Sequence, residues 1–141
     1  MRRLTILRVT SKLLIPYILL FALYVQFHGD FGPGGGFQAG VIFAAGFILY
    51  GLVFGLAALR RVAIPGLVEG LVALGVLIFA GTGLVAMLMG GNFLDYGALN
   101  HHDPAHGQHW GILIIELGVG ITVAAVMISI FFAFAERGRV E

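Results

Sequence analysis

The chain of 141 residues contains no cysteine, which excludes disulfides, thioether haem attachment and thiolate-held metal clusters. Charge is almost as scarce. Eight Lys and Arg and seven Asp and Glu cannot clothe a soluble globule of this length. Serine stands only at positions 11 and 129, near the ends that carry the basic residues, whereas all five histidines stand at 28 and between 101 and 109. A Ser/His/Asp hydrolase is therefore not assembled. The glycine-rich stretch 28–37 lacks the Gly-Lys-Ser/Thr that a phosphate-binding loop needs after it, and no soluble strand precedes it.

What fills the chain instead is hydrocarbon: 60% of residues are hydrophobic and the mean hydropathy is +1.02. Stretches 37–59, 66–89 and 111–134 each exceed the ~20 residues that carry a helix across a bilayer core of ~30 Å. A fourth stretch, 13–27, is shorter and reaches full length if Lys12 and Arg8, one turn apart, snorkel to the interface. The expected architecture is all-α, a single membrane domain of four transmembrane helices. The first span has no small-x-small cleavage site after it and is expected to be retained.

Every Lys and Arg falls in the N-terminal segment, the second loop or the C-terminal tail, while loops one and three have none. By the positive-inside rule both termini face the cytoplasm. Beside a membrane span, basic residues at the N-terminus are an orientation signal, so no nucleic-acid partner is expected. Leu4, Ile6, Leu7 and Val9, interleaved with Arg2, Arg3, Arg8 and Lys12, form either a short interfacial turn or an early start to the first helix. Pro16 lies near the start of that span. Pro33, Pro65 and Pro104 mark the starts of the other three, where a missing amide donor is tolerated. Asp103, just before Pro104, is placed to cap the last helix, which then begins outside the bilayer.

Glycine, with 22 copies, is the second signal, because in lipid it lets helix backbones approach closely. In the second span Gly36, Gly40, Ala44, Gly51 and Gly55 fall within about 100° of one face. Gly66, Gly70, Ala73 and Ala80 form a similar stripe in the third, and Gly120 and Ala124 in the fourth. So many seams on so small a protein imply docking onto larger neighbours.

Few residues can carry chemistry. Glu116 lies inside the last apolar stretch, where an ionised carboxylate costs ~3 kcal/mol, and shares a face with Gly120, Ala124 and Met127. It is expected to face protein, either as a titrating group on a proton or cation path or as a hydrogen-bonded clamp between helices. Glu69 is a second candidate for the path, with the alternative of an interfacial ion pair to Arg60 or Arg61. His28 and Asp30 are candidate cation attractors. His102 and His106, or Asp103 and His106, share one face if the third loop is helical, but the spacing matches no standard metal site, so neither metal nor cofactor is expected.

The run Pro33-Gly34-Gly35-Gly36-Phe37-Gln38-Ala39-Gly40 and the last span, Gly-Ile-Leu-Ile-Ile-Glu-Leu-Gly-Val-Gly-Ile-Thr-Val-Ala-Ala-Val-Met over 111–127, closely resemble the MnhB/MrpB family, found in the Mrp-type multisubunit Na+/H+ antiporters. The likeness covers nearly the whole chain, and its first motif and last span are its specific parts. It implies a multi-pass accessory subunit of a bacterial inner-membrane complex exchanging cytoplasmic Na+ for external H+. Other hydrophobic subunits, similar to the pumping subunits of respiratory complex I, would carry the main proton channels. The family motif maps onto Pro33, Gly34, Gly35, Gly36 and Phe37, and the acidic position of the last span onto Glu116. Family members commonly have His-Asn where this chain has Asp30-Phe31. The alternative is a purely structural assembly subunit of this or a related complex, such as a membrane-bound hydrogenase. The chain lacks the opposed broken helices and several intramembrane charges of an autonomous transporter, and nothing in it suggests an enzyme.

Overall fold

The computed structural model describes residues 5–29, 32–100 and 102–137. Helices follow in the order α1 (Thr5–His28), α2 (Gly36–Phe54), α3 (Leu56–Val62), α4 (Pro65–Leu88) and α5 (Pro104–Arg137), with a 3₁₀ turn at Tyr96–Leu99 between the last two. All but α3 are long and apolar enough to cross a membrane. The described residues contain no strand.

The helix α1 starts well before residue 13, so its 24 residues span ~36 Å without help from snorkelling. Its basic side chains instead fold onto a ring. The Arg8 guanidinium lies 5.5 Å and the Lys12 ammonium 5.8 Å from the centroid of Phe54, at the end of α2. Pro16 sits in the interior of α1, where it deprives one carbonyl of its helical partner. Pro65 and Pro104 do open their helices, but Pro33 stands three residues before Gly36. Asp103 caps α5 as expected, its Oδ1 accepting from the His106 amide at 3.2 Å.

One expected span is interrupted. The stretch 37–59 does not form a continuous helix, because Gly55 takes φ 97° and ψ 159°, a conformation essentially confined to glycine. The chain then turns into α3 and tucks Leu59, fully buried, against Ala44, Ala63, Val68, Ala125, Ile128 and Phe132. The break closes one end of the core with apolar side chains that a straight helix would have carried away from it.

Packing is a row rather than a ring: α1 lies on α2, α2 on α5, and α5 on α4, with α1 touching α5 lightly. The α2/α5 crossing is built on the predicted seam. A β-carbon at Gly40 would stand 2.7 Å from the Gly120 carbonyl oxygen, and one at Gly51 would stand 2.8 Å from the Phe131 ring. The α4/α5 crossing pairs Gly75 with Gly118, each of whose β-positions points at the other's carbonyl oxygen, at 2.5 and 3.0 Å. Here the expectation needs correcting. Gly66, Gly70 and Ala73 are exposed, Ala80 only partly covered, and the helix buries Val68, Gly75, Thr82, Gly83 and Ala86, which lie roughly opposite at 100° per residue.

The row also has a step. Gly36, at the start of α2, abuts the main chain of Glu116, so the α1–α2 hairpin ends twelve residues, ~18 Å, short of the start of α5. Beyond it project the tip of α4, the 3₁₀ turn and the first turns of α5, with Leu84, Met87, Leu88, Phe93 and Trp110 exposed.

Candidate functional site around Glu116

The step puts Glu116 at the rim of the hairpin, although it lies several residues inside an apolar stretch of its own helix. Its carboxylate fills the space that side chains at two loop glycines would need. A β-carbon at Gly29 would be 2.9 Å from Oε2, and one at Gly35 would be 3.0 Å from Oε1. Gly35 also has φ 123°, which disfavours any other residue there. A side chain at Gly36 would overlap the Glu116 carbonyl, and Gly34 packs its β-position 3.0 Å from the Val25 carbonyl. The glycine loop therefore admits a carboxylate from α5 rather than cradling a phosphate. Glu116 is half-buried and turned to protein, as its place on the Gly120–Ala124 face suggested.

The motif residues divide by direction. Gly35, Gly36 and Gly40 face Glu116 and Gly120, whereas Pro33 and Phe37 point outward, Phe37 being 61% exposed. Gln38 borders the same loop, its Oε1 3.7 Å from the β-position of Gly35. His28 stacks on Tyr24 with ring centroids 5.0 Å apart, and Gly32 lies against its Nε2. Asp30 lies outside the described residues.

Other candidates lie apart from this cluster. Glu69 is exposed on the outward face of α4 beside Gly66, Gly70 and Ala73. The expected pair with Arg60 does not form, because Arg60 is engaged by Glu136 near the end of α5. His102 and His106 are exposed in the capping segment, where the Asn100 side chain accepts from the His102 and Asp103 amides at 3.1 and 3.2 Å. Among the described residues no three His, Cys, Asp or Glu come together as a metal would require.

One residue of this region was not anticipated. Gln26 on α1 is 5% exposed, and its Oε1 lies where a side chain on Gly120 would begin, 2.6 Å from that β-position. Because Gln26 meets Gly120 as Gly29 meets Glu116, the amide sits about one helical turn below the carboxylate. An amide inside the otherwise apolar run 13–27 was the available signal. The buried Thr82 and the partly buried Thr122, by contrast, donate to the carbonyls of Ile78 and Gly118 at 2.8 and 3.0 Å and are satisfied within their own helices.

The two ends of the molecule differ in charge. Arg8, Lys12, Arg60, Arg61 and Arg137 gather at the end where α1 begins and α5 finishes, tied by the Phe54 and Glu136 contacts. Glu116, His28, His102, His106 and His109 occupy the other end.

A family profile described as a domain related to the MnhB subunit of Na+/H+ antiporter matches residues 6–129. Among curated proteins, the chain is 33% identical over 132 residues to "Putative antiporter subunit mnhB2" of Staphylococcus haemolyticus (strain JCSC1435), covering 92% of this chain and 93% of that one. Proteins of the same name from Staphylococcus aureus (strain Newman) and Staphylococcus epidermidis (strain ATCC 12228 / FDA PCI 1200) are 32% and 31% identical over the same lengths.

Proposed function

The chain belongs to the family of domains related to the MnhB subunit of Na+/H+ antiporters, and on that premise we propose that it is an accessory, multi-pass subunit of a bacterial multisubunit cation/proton antiporter whose Glu116 takes part in ion or proton movement. It is a component of a transporter rather than an enzyme. The basic end lies in the cytoplasm and the glycine loop at the outer face of the inner membrane, in keeping with the charge asymmetry.

The observation that carries the role of Glu116 is its setting: a carboxylate lodged between Gly29 and Gly35 at the rim of the α1–α2 hairpin. A carboxylate inside an apolar segment is costly unless it faces protein or a hydrated route, and here it faces a loop of small residues one short step from the outer aqueous phase. A proton or Na+ arriving from that phase meets Glu116 before any other acidic group of the apolar spans. The remainder of the pathway lies in partner subunits. The outward stripe of Gly66, Gly70 and Ala73 on α4 and the apolar tip beyond the hairpin are surfaces that such hydrophobic partners would cover.

Glu116→Gln keeps the shape of the side chain and removes its charge. Exchange of Na+ for H+ in everted membrane vesicles is expected to fall severalfold while the complex remains assembled at normal abundance. Unchanged exchange at normal abundance removes Glu116 from the path. Parallel loss of complex and exchange assigns it to assembly, the second reading, which the exposed small-residue face of α4 favours. Identifying what co-purifies in mild detergent separates an antiporter from a membrane-bound hydrogenase.

A further inference from the structure

We infer that the basic end of α1 binds the phosphate of an anionic phospholipid headgroup, held between the Arg8 guanidinium and the Lys12 ammonium. A shallow groove on this helix is lined by Thr5, Arg8, Val9 and Lys12. Both cations lean on one ring, that of Phe54, at 5.5 and 5.8 Å from its centroid. Phe54 is the last residue of α2, so the ring stands where the break at Gly55 ends that helix. Contact with a ring face holds a cation in place without using its N–H donors. Among the described residues neither Arg8 nor Lys12 donates a hydrogen bond or forms an ion pair, the one ion pair there joining Arg60 to Glu136. The two cations are therefore positioned with all their donors unspent.

Charge, depth and the surface below select the occupant. Arg8 and Lys12 are one helical turn apart, a spacing at which like charges repel, yet they converge on the same ring. An anion between them replaces that repulsion with two attractions, and a phosphate suits both the planar fork of Arg and the point charge of Lys. No acidic side chain among the described residues takes this place: at the basic end Glu136 is engaged by Arg60, and Glu69 lies on α4, at the far end of the row from α1. The 24 residues of α1 outreach a ~30 Å bilayer core by ~6 Å. Arg8, in the first turn, thus falls at headgroup level, and Lys12 reaches that level with its side chain. Below the groove Val9, Leu13 and Leu20 lie within ~40° of one another and are exposed, so the same face continues inward as a surface for an acyl chain. A soluble phosphate would use the cations alone, whereas a phospholipid uses both parts, and basic pockets flanking membrane helices bind such headgroups. The inference requires only that this end of α1 lie at a membrane surface, and it does not depend on the role of Glu116.

The test uses the purified full-length chain in mild detergent, given phosphatidylglycerol or phosphatidylethanolamine with the same acyl chains, and reads lipid retention by native mass spectrometry. Phosphatidylglycerol is expected to be retained in preference. Arg8→Gln combined with Lys12→Gln should lower its retention ~25-fold, about 5-fold for each basic residue. Phe54→Leu, which keeps both charges and removes their platform, should lower it ~2- to 5-fold. Arg61→Gln combined with Arg137→Gln takes equal charge from the same end and should change retention less than ~2-fold, because neither residue lines the groove. Each variant is first checked for a monodisperse peak, and should the Arg8/Lys12 pair fail that check, Lys12→Gln alone carries the 5-fold expectation. Equal retention of the two lipids overturns the inference. So does an equal loss in the two double variants, which would mean diffuse charge rather than a site, or retention that ignores the loss of Phe54. Glycerol phosphate offers the phosphate without acyl chains; if millimolar amounts displace the lipid, the groove reads a soluble anion and the lipid assignment falls. Carbodiimide coupling of Lys12 to a carboxylate of a co-purifying subunit would assign the groove to protein and overturn it as well.

Discussion

Replacing Gly40 by alanine adds one methyl group where α2 crosses α5, and the structure says what it meets: the Gly120 carbonyl oxygen at 2.7 Å and the Val123 Cβ at 2.9 Å. Both belong to or adjoin backbone inside a helix and cannot swing away. Restoring ordinary contact requires the helices to separate by several tenths of an ångström, which weakens dispersion along the whole crossing. Overpacking of this kind costs ~1–3 kcal/mol, offset by the ~1 kcal/mol that alanine gains over glycine in a helix. Gly70→Ala is the matched control, because nothing lies within 4 Å of its β-position and only the propensity gain applies. The difference between the two variants therefore isolates packing, at ~1–3 kcal/mol, or roughly 4–12 °C in melting temperature at about 4 °C per kcal/mol for a chain of this size. Heating the isolated protein in detergent and following loss of the monodisperse peak measures it. If Gly40→Ala melts at or above Gly70→Ala, the α2/α5 seam does not hold the fold. Repeating the pair in the assembled complex asks a further question, since a partner seated on the outer face of α4 would make Gly70→Ala harmful there alone.

Three other outcomes are expected. Gly55→Ala should lower the stability of the fold by ~1–3 kcal/mol through backbone strain alone, because φ 97° disfavours an L side chain even though no atom crowds the site; no change in thermal stability would mean that α2 and α3 can join by another route. Arg60→Ala should cost under ~1 kcal/mol in the same melt, as the pair with Glu136 is 43% and 52% exposed, and the reversal Arg60→Glu with Glu136→Arg should recover it. Single cysteines introduced at either terminus are unique in this protein. They should react with an impermeant maleimide only after cells are opened, and labelling of intact cells at either end would invert the topology.

The four spans were legible because each is a long hydrocarbon run, and the α2/α5 seam because Gly36, Gly40 and Ala44 repeat every four residues. The break at Gly55 was hidden by hydropathy: the residues after it, Leu56 to Leu59, are as apolar as those before, and the burial of Leu56 and Leu59 comes from folding back rather than from crossing. The packing face of α4 was ambiguous for a different reason. Small residues occupy both sides of that helix, and only the position of α5 decides that Gly75 and Ala86 turn inward while Gly66 and Gly70 turn out. The partner of Arg60 lies 76 residues away in Glu136, a pairing no local pattern announces. Glu116 stood out as a charge among hydrocarbon, but its proximity to Gly29 and Gly35 depends on the stepped heights of neighbouring helices.

The middle place of α5 in the row bears on how the protein is made. Synthesis delivers α1, α2 and α4 first, and the helix that joins the hairpin to α4 leaves the ribosome last. Until it arrives, the two early pieces share little surface, and the loop glycines wait for a carboxylate not yet translated. Nascent chains stopped short of residue 104 should thus remain loosely associated in the bilayer and fall to membrane proteases, making the last helix a checkpoint for quality control.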